Sequence, residues 1–542
     1  MGKGLDFLPV QPFFTDGATT LKISSTGRRR WHCPGIAAFC VCGVLAAAVF
    51  AHSQSFRSRH IPISERTDLS SSDLKRVRDV ARPTDDFSKA ESFEAMQGGA
   101  ATSRKIVNRD SFSHSSANIA FEEEEKFKLG NALFRKLWVS SPSSTHASDG
   151  LGPLFNARAC QSCHIKDGRG HPPEGDQDAT SMFLRLARPA QTAEEEQMLA
   201  GYLALNFPDP VYGGQLQDLA VPGLKSEGRM VVSYTERPLT LGDGTIVSLR
   251  KPHYSVADMG YGDLHPETTL SPRVASPMIG LGLIEAIHPA DILNLADPDD
   301  ANGNGVSGRA ALTRDPGSNG IVLGRFGWKA QNASIRAQSA SAFAGDIGIS
   351  TPESPNSFGD CTGEQTACLS YPTGVQEHLG DTEAPDPVLD LVTFYSQNLA
   401  VPARRDVNDS QVLRGKRLFY ESGCASCHTP KYVTRRDAEN PAHSFQLIWP
   451  YSDFLLHDMG EGLADGQSVG AASGREWRTP PLWGIGLTET VSGHTFFLHD
   501  GRARNLTEAI LWHGGEAENS KRNFQRLARN GREDLIRFLE SL

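Results

Sequence analysis

Cys424-Ala425-Ser426-Cys427-His428 is the stretch from which the rest of this chain can be read. Two thiols separated by two residues, with an imidazole directly after the second, form the attachment signature of c-type haem. The thiols add to the two vinyl groups of one porphyrin, and the histidine becomes the proximal iron ligand. Cys160-Gln161-Ser162-Cys163-His164 repeats the pattern. With 9 Cys and 17 His in 542 residues, chance placement gives roughly 0.005 such patterns. Two copies therefore imply two covalently bound c-type haems. The rival is a zinc site, which needs four ligands, usually through a second Cys/His pair about 12 to 20 residues downstream. Neither motif is followed by such a pair.

Length and charge bound the remaining possibilities. A chain of 542 residues can form two or three domains with full cores. Hydrophobic residues make up 39% and charged residues 22%, the balance of an ordinary globular protein. The 54 Lys and Arg against 64 Asp and Glu leave a net charge of −10, which haem propionates would deepen. Nucleic acid is therefore not an expected partner, whereas a small basic electron donor suits that sign.

Residues 1–51 read as a signal peptide. Arg28, Arg29 and Arg30 precede an apolar run over 36–50, and Val49-Phe50-Ala51 offers a small-residue cleavage site before His52. The run is short for a membrane span. An uncleaved N-terminal anchor is the alternative, and it is the one membrane contact expected. Removing Cys33, Cys40 and Cys42 with the leader leaves two cysteines outside the haem motifs, Cys361 and Cys368, in a polar loop. That spacing suggests a local disulfide, a feature of oxidising compartments. The expected localisation is periplasmic.

Residues 52–118, rich in Ser, Arg and Asp with little apolar periodicity, read as a partly disordered linker. A first haem domain is expected over 119–396 and a second over 397–542. Phe127, Gly130 and Phe134 fall on one helix face, and Val412, Gly415 and Phe419 repeat the spacing before the second motif. Each glycine admits close approach of a partner helix, for which 387–395 and 534–542 carry apolar stripes such as Leu535, Phe538 and Leu539. The expected fold class is mainly α: two cytochrome c-like haem domains, the first with a long insertion containing some β-structure. The β-structure is read from β-branched runs at 230–234 and 245–249 around a Gly242-Asp243-Gly244 turn. Asp300, Asn302, Asn304 and Gly305 open a D-x-N-x-N-G loop of the calcium-binding type, but Ala311 stands where the bidentate glutamate belongs. Calcium is thus a candidate ligand, with an ordinary Asn/Gly turn as its alternative.

Several further stretches carry a family resemblance: Phe155-Asn156-Ala157 before the first motif, Lys166-Asp167-Gly168-Arg169-Gly170 after it, GRFGWKA at 324–330, His457-Asp458-Met459-Gly460, Trp477-Arg478-Thr479-Pro480-Pro481, and LHDGRARNLTEAILWHGG at 498–515. Together they resemble the di-haem oxidoreductase family, once labelled thiol oxidoreductase. That family is related to bacterial di-haem cytochrome c peroxidases and to the methylamine dehydrogenase maturation enzyme. The resemblance spans about 121–542. In those peroxidases the axial ligand of the C-terminal haem lies fourteen residues after the His of a His-Asp-Gly turn; here that position is His513, where they have methionine. The local sequence agrees, since Asn505 can cap a helix, Glu508 occupies the capping-box position and Gly514-Gly515 ends it. The second haem is therefore expected to have His428 and His513 as ligands, with Met459 as the rival to His513, and a lower potential than a Met/His pair would give. The peroxidases also place a Trp, a Gln and a Glu-Met over the first haem, in positions that Trp328, Gln338 and Asp346-Ile347 match here, with Asp for Glu and a slightly shorter gap. The resemblance implies Asp346 as proton-transfer group, Gln338 beside it and Trp328 as electron relay. Glu285, a carboxylate after an apolar run, is a substitute acid.

The expected function is that of a di-haem peroxidase: hydrogen peroxide is reduced at the haem of His164, and electrons arrive through the haem of His428 from a small redox protein such as a mono-haem cytochrome c or a cupredoxin. The alternatives are an electron carrier with both irons closed, and a peroxide-dependent oxidase of a protein or organic substrate.

Overall fold

The computed structural model describes residues 65–146, 148–175 and 179–542, so the leader or anchor at 1–51 lies outside the described residues. Helix α1 (Ser71–Ala81) starts where Ser70 Oγ accepts the Asp73 N–H. It belongs to the segment read as a linker, yet that segment buries Glu94, Gln97 and Phe112. Glu94 is held by Arg404 and Lys416. A composition rule misses this because the contacts are ionic and long-range.

Helix α2 (Glu124–Phe134) buries Phe127, Gly130 and Phe134, the face its spacing defines. Strand β1 (Met182–Ala187) follows the first haem motif. Next come β2 (Arg229–Thr240) and β3 (Ile246–Ala257), a long hairpin with Arg229 opposite Ala257 and Thr240 opposite Ile246. Gly244, at φ +83°, supplies the left-handed backbone of its turn. Strand β4 (Thr269–Val274) pairs antiparallel with β1, Met182 opposite Val274. Helix α3 (Ile335–Ala342), capped by Ser334, runs directly into a π-helical turn, Phe343–Ile347.

Helix α4 (Asp386–Gln397) packs on α2, where a Cβ on Gly130 would collide with the Leu391 carbonyl. Helix α5 (Ser410–Glu421) is capped by Asp409. Strands β5 (Leu456–Asp458) and β6 (Glu476–Arg478) form a short antiparallel pair. Helix α6 (Leu506–Trp512) precedes α7 (Arg529–Ser541), which packs on α5 so closely that a Cβ on Gly415 would strike the Asp534 carbonyl. Each haem motif thus follows the glycine-bearing member of one tight helix pair. The described residues all fall in a single compact unit.

The fold class expected from sequence, mainly α with two cytochrome c-like domains, is overturned. Only 30% of the chain is helical and 17% is strand, the latter spread among the described residues over seven two-stranded sheets. The physical reason is that most of these strands are two or three residues long, too short to show an alternating pattern. The 52 Gly and 32 Pro break the remaining chain into turns. Cys361 and Cys368 are joined by a disulfide.

Candidate haem sites

Both Cys-x-x-Cys-His motifs open onto one continuous cavity of about 3050 Å³, counting its mouth to solvent. Cys160 to Cys163 make one helical turn and Cys424 to Ser426 a 3₁₀ turn, so each thiol pair faces the same side. All four cysteines are half-buried on the cavity wall. Burial pushes the Cys160 and Cys424 thiols up to about 12. His164 Nδ1 lies 2.8 Å from the Ser276 carbonyl and His428 Nδ1 2.9 Å from that of Tyr451. A carbonyl can only accept, so each Nδ1 carries the proton and each Nε2 lone pair is left for a metal. Burial, only partly offset by those carbonyls, drops both imidazoles to about 4, which keeps them neutral.

His513 ends α6 with its Nδ1 2.7 Å from the Ala509 carbonyl, and its ring also reaches the cavity. It is near enough that its charge further depresses His428. Asn505 caps α6 by accepting the Glu508 N–H, while Glu508 accepts from Arg504, one residue before the position a capping box would use. Met459 also lines the cavity.

Besides Arg185, four guanidiniums line the same space: Arg273, Arg325 and Arg478 are buried and Arg169 is half-buried. Burial lowers each to about 10. Arg169, Arg325 and Arg478 find carbonyls as partners, and Arg273 donates to Ser271 Oγ at 3.1 Å and Gln467 Oε1 at 3.3 Å, with Asp465 3.9 Å away. Cations so placed call for anions in the cavity, and two haems would bring four propionates. The donor set therefore fits porphyrin: vinyl acceptors for two thiol pairs, imidazoles with free Nε2, and guanidiniums for carboxylates. Residues 92–542 match the family model described as "Di-haem oxidoreductase, putative peroxidase". The chain belongs to the di-haem oxidoreductase family. Its cofactors are haems. No curated protein matches it.

In this di-haem oxidoreductase, Trp328, Gln338 and Asp346 all line the cavity with His164. Trp328 Nε1 donates to the Val274 carbonyl at 2.9 Å, two residues from the carbonyl that holds His164. Gln338 Oε1 accepts from Asn332. Asp346 sits in the π-helical turn, where helices commonly bend around functional groups. Burial raises its carboxyl, against the Arg185 charge and a 3.0 Å hydrogen bond from Gln215 Nε2. Glu285 is not part of this wall: its oxygens accept the Ile335 N–H that opens α3 and the Gln397 amide.

Three features escaped sequence reasoning. His499 stacks on Trp477, centroids 3.7 Å apart and 11° from parallel, and meets Trp328 edge-on at 6.4 Å. Trp477 is paired across the β5–β6 ladder with His457, whose Nδ1 is 3.6 Å from Cys427 Sγ. The ring stack thus runs from the strand beside His164 to the strand beside Cys427. His457 itself is clamped between Asp453, at 2.8 Å, and Glu516, at 2.7 Å. Burial disfavours its charge, but the two carboxylates outweigh burial and hold it as imidazolium. The third is Arg185, whose guanidinium also lines the wall. The only signals were His457 and His499 within quoted motifs and Trp477 in its Trp-Arg-Thr-Pro run.

The Asp300 loop closes on itself. Asp300 accepts the Gly305 N–H and Asn302 that of Asn304. Among the described residues, the Cys, His, Asp and Glu side chains grouped tightly enough to share an ion are Cys427, Asp453 and His457, not those of this loop.

Proposed function

We propose that this di-haem oxidoreductase is an exported peroxidase that reduces hydrogen peroxide at the haem of His164 and draws electrons through the haem of His428 and His513. Both haems are c-type, attached through Cys160 and Cys163 and through Cys424 and Cys427. The observation that carries this reading is the shared cavity, whose wall holds His164, His428, His513, Asp346 and Gln338 together. Bound haem iron supplies a coordination position for peroxide and stores single electrons. The chain supplies the rest. Neutral His164 and His428, each fixed by a carbonyl, present Nε2. Asp346, its carboxyl raised by burial, takes a proton from one peroxide oxygen and returns it to the other. The Trp328, His499 and Trp477 rings offer a continuous aromatic path for electrons.

The external donor is a small redox protein, a mono-haem cytochrome c or a cupredoxin. The Cys361–Cys368 disulfide supports the periplasm as the compartment. Electron paramagnetic resonance of the oxidised protein tests the ligand assignment. A low-spin bis-histidine signal is expected beside a high-spin one, and His513→Ala should convert the low-spin signal. A signal that ignores this substitution refutes His513 as ligand. Two low-spin haems that respond to neither cyanide nor peroxide would make the protein an electron carrier instead.

A further inference from the structure

Next to Asp346 stands a guanidinium that no hydrogen bond holds among the described residues. Arg185, in β1, is half-buried on the cavity wall. Among the described residues no hydrogen bond or close ion pair holds it, although its charge is felt at Asp346 and Asp360; it lies over the Phe183 ring, 5.1 Å from its centroid. The Arg185 backbone is bridged to Gln215. The Gln215 Nε2 donates to Asn156 Oδ1, the Gly345 carbonyl and Asp346 Oδ1, which fixes the amide's orientation. Its Oε1 then faces no donor, although the residue is 0% exposed.

Gly345 marks where the two groups meet. A Cβ there would stand 3.5 Å from Arg185 Nη1 and 3.9 Å from Gln215 Oε1. A strong donor and an idle acceptor therefore both approach Gly345, one residue from Asp346. Hydrogen peroxide both donates and accepts, the pairing that these two groups call for.

A haem propionate is the other anion within reach of the cavity, but it lies at the wrong edge. The Asp346 carbonyl accepts the N–H groups of Asn156 and Ala157, just before Cys160, and its carboxylate charge is felt at both Cys160 and Cys163. Porphyrin carries its vinyl groups and its propionates on opposite edges, so the Arg185 neighbourhood belongs to the thioether edge.

We propose that Arg185 is a catalytic residue: with Gln215 Oε1 it docks hydrogen peroxide beside Asp346, and its guanidinium stabilises the negative charge that gathers on the departing oxygen. This rests on the peroxidase reading above. The O–O bond breaks as H₂O₂ takes up two electrons and two protons and leaves as two waters. The electrons come from the external one-electron donor protein. Asp346 moves one proton between the peroxide oxygens, and the two further protons come from solvent. Preorganised positive charge at the departing atom lowers the barrier because it needs no reorganisation during the step.

The test uses the full holoprotein and three variants, Arg185→Leu, Arg185→Gln and Arg185→Lys. Optical titration with fluoride, an anionic iron ligand that accepts hydrogen bonds, is run beside peroxide turnover with a reduced mono-haem cytochrome c. Wild type should bind fluoride. Arg185→Leu and Arg185→Gln should bind it about tenfold more weakly and lose about 10²- to 10³-fold in kcat/KM for peroxide. Arg185→Lys should recover part of both, with haem content and the low-spin signal of the second haem unchanged throughout. If Arg185→Leu loses its haems, Arg185→Gln carries the comparison. Fluoride affinity and kcat/KM within about twofold of wild type in the neutral variants would overturn the role of Arg185 and leave the peroxidase reading standing. A wild type that binds neither fluoride nor peroxide overturns that reading and the role of Arg185 together.

Discussion

At Asp360 the N–H groups of Gly214 and Gln215 converge on one carboxylate oxygen. Burial nevertheless dominates, and the carboxyl is pushed from 3.8 up to about 6. Its other oxygen can carry a proton without breaking either bond. A carboxyl raised on folding adds stability that is complete below about pH 4 and is lost as pH climbs through about 6. Asp360→Asn, which mimics the protonated acid, should remove that dependence. Its thermal midpoint should gain on wild type between about pH 4 and 6 and keep a constant lead above about pH 7. A gap that does not change with pH would show that folding leaves the Asp360 carboxyl unshifted. The same residue shows the limit of reading a sequence one position at a time. The thiols proposed to bind haem are legible because each pair lies within one five-residue motif. Arg185, Gln215, Asp346 and Asp360 meet only after strands and turns far apart in sequence have paired.

Among the elements, the α2–α4 and α5–α7 pairs were legible because the core face and the glycine lie within one helix. Their consequence can be measured. Alanine is the better helix former by about 1 kcal/mol, yet Gly415→Ala would place a methyl against the Asp534 carbonyl and Gly130→Ala one against Leu391. The pairs must separate, so each variant should lose about 1–3 kcal/mol in thermal or denaturant unfolding of the holoprotein. A stabilised Gly415→Ala would mean that the contact is looser than drawn. The hairpin β2–β3 was legible from its turn and β-branched runs, but its anchoring was not. Tyr254 reaches Asp500, and Arg250 reaches the carbonyls of Gly501 and Arg502. These bonds brace the His-Asp-Gly turn that places His499 on Trp477.

For the molecule as a whole, the cavity is the central fact. Its wall joins apolar side chains of several core clusters to guanidiniums, three of which bond only carbonyls. Folding without haem would leave the enclosed part of this cavity unfilled and its buried guanidiniums without the propionates that suit them, both costly. Replacing Cys424 and Cys427 together by serine should leave one haem per chain by mass and absorbance. Unfolding should then begin several degrees lower, and replacing all four motif cysteines should abolish a cooperative transition. An unchanged midpoint would mean that haem fills the cavity without holding it together.

The amino-acid sequence alone determined what is covalent or local: two haem motifs, two glycine-centred helix faces, one hairpin turn, a cysteine pair and a family resemblance. Each depends on spacing over a few residues, or on motifs that survive any arrangement of the chain around them. Only the tertiary structure decided that the two halves share one cavity and that the chain is no mainly helical tandem. It also decided that the Trp328, His499 and Trp477 rings meet and that Arg185 comes beside Gly345, next to Asp346. Those relations are made by contacts between residues hundreds of positions apart, held by burial and by irregular backbone that leaves no periodic trace in the sequence.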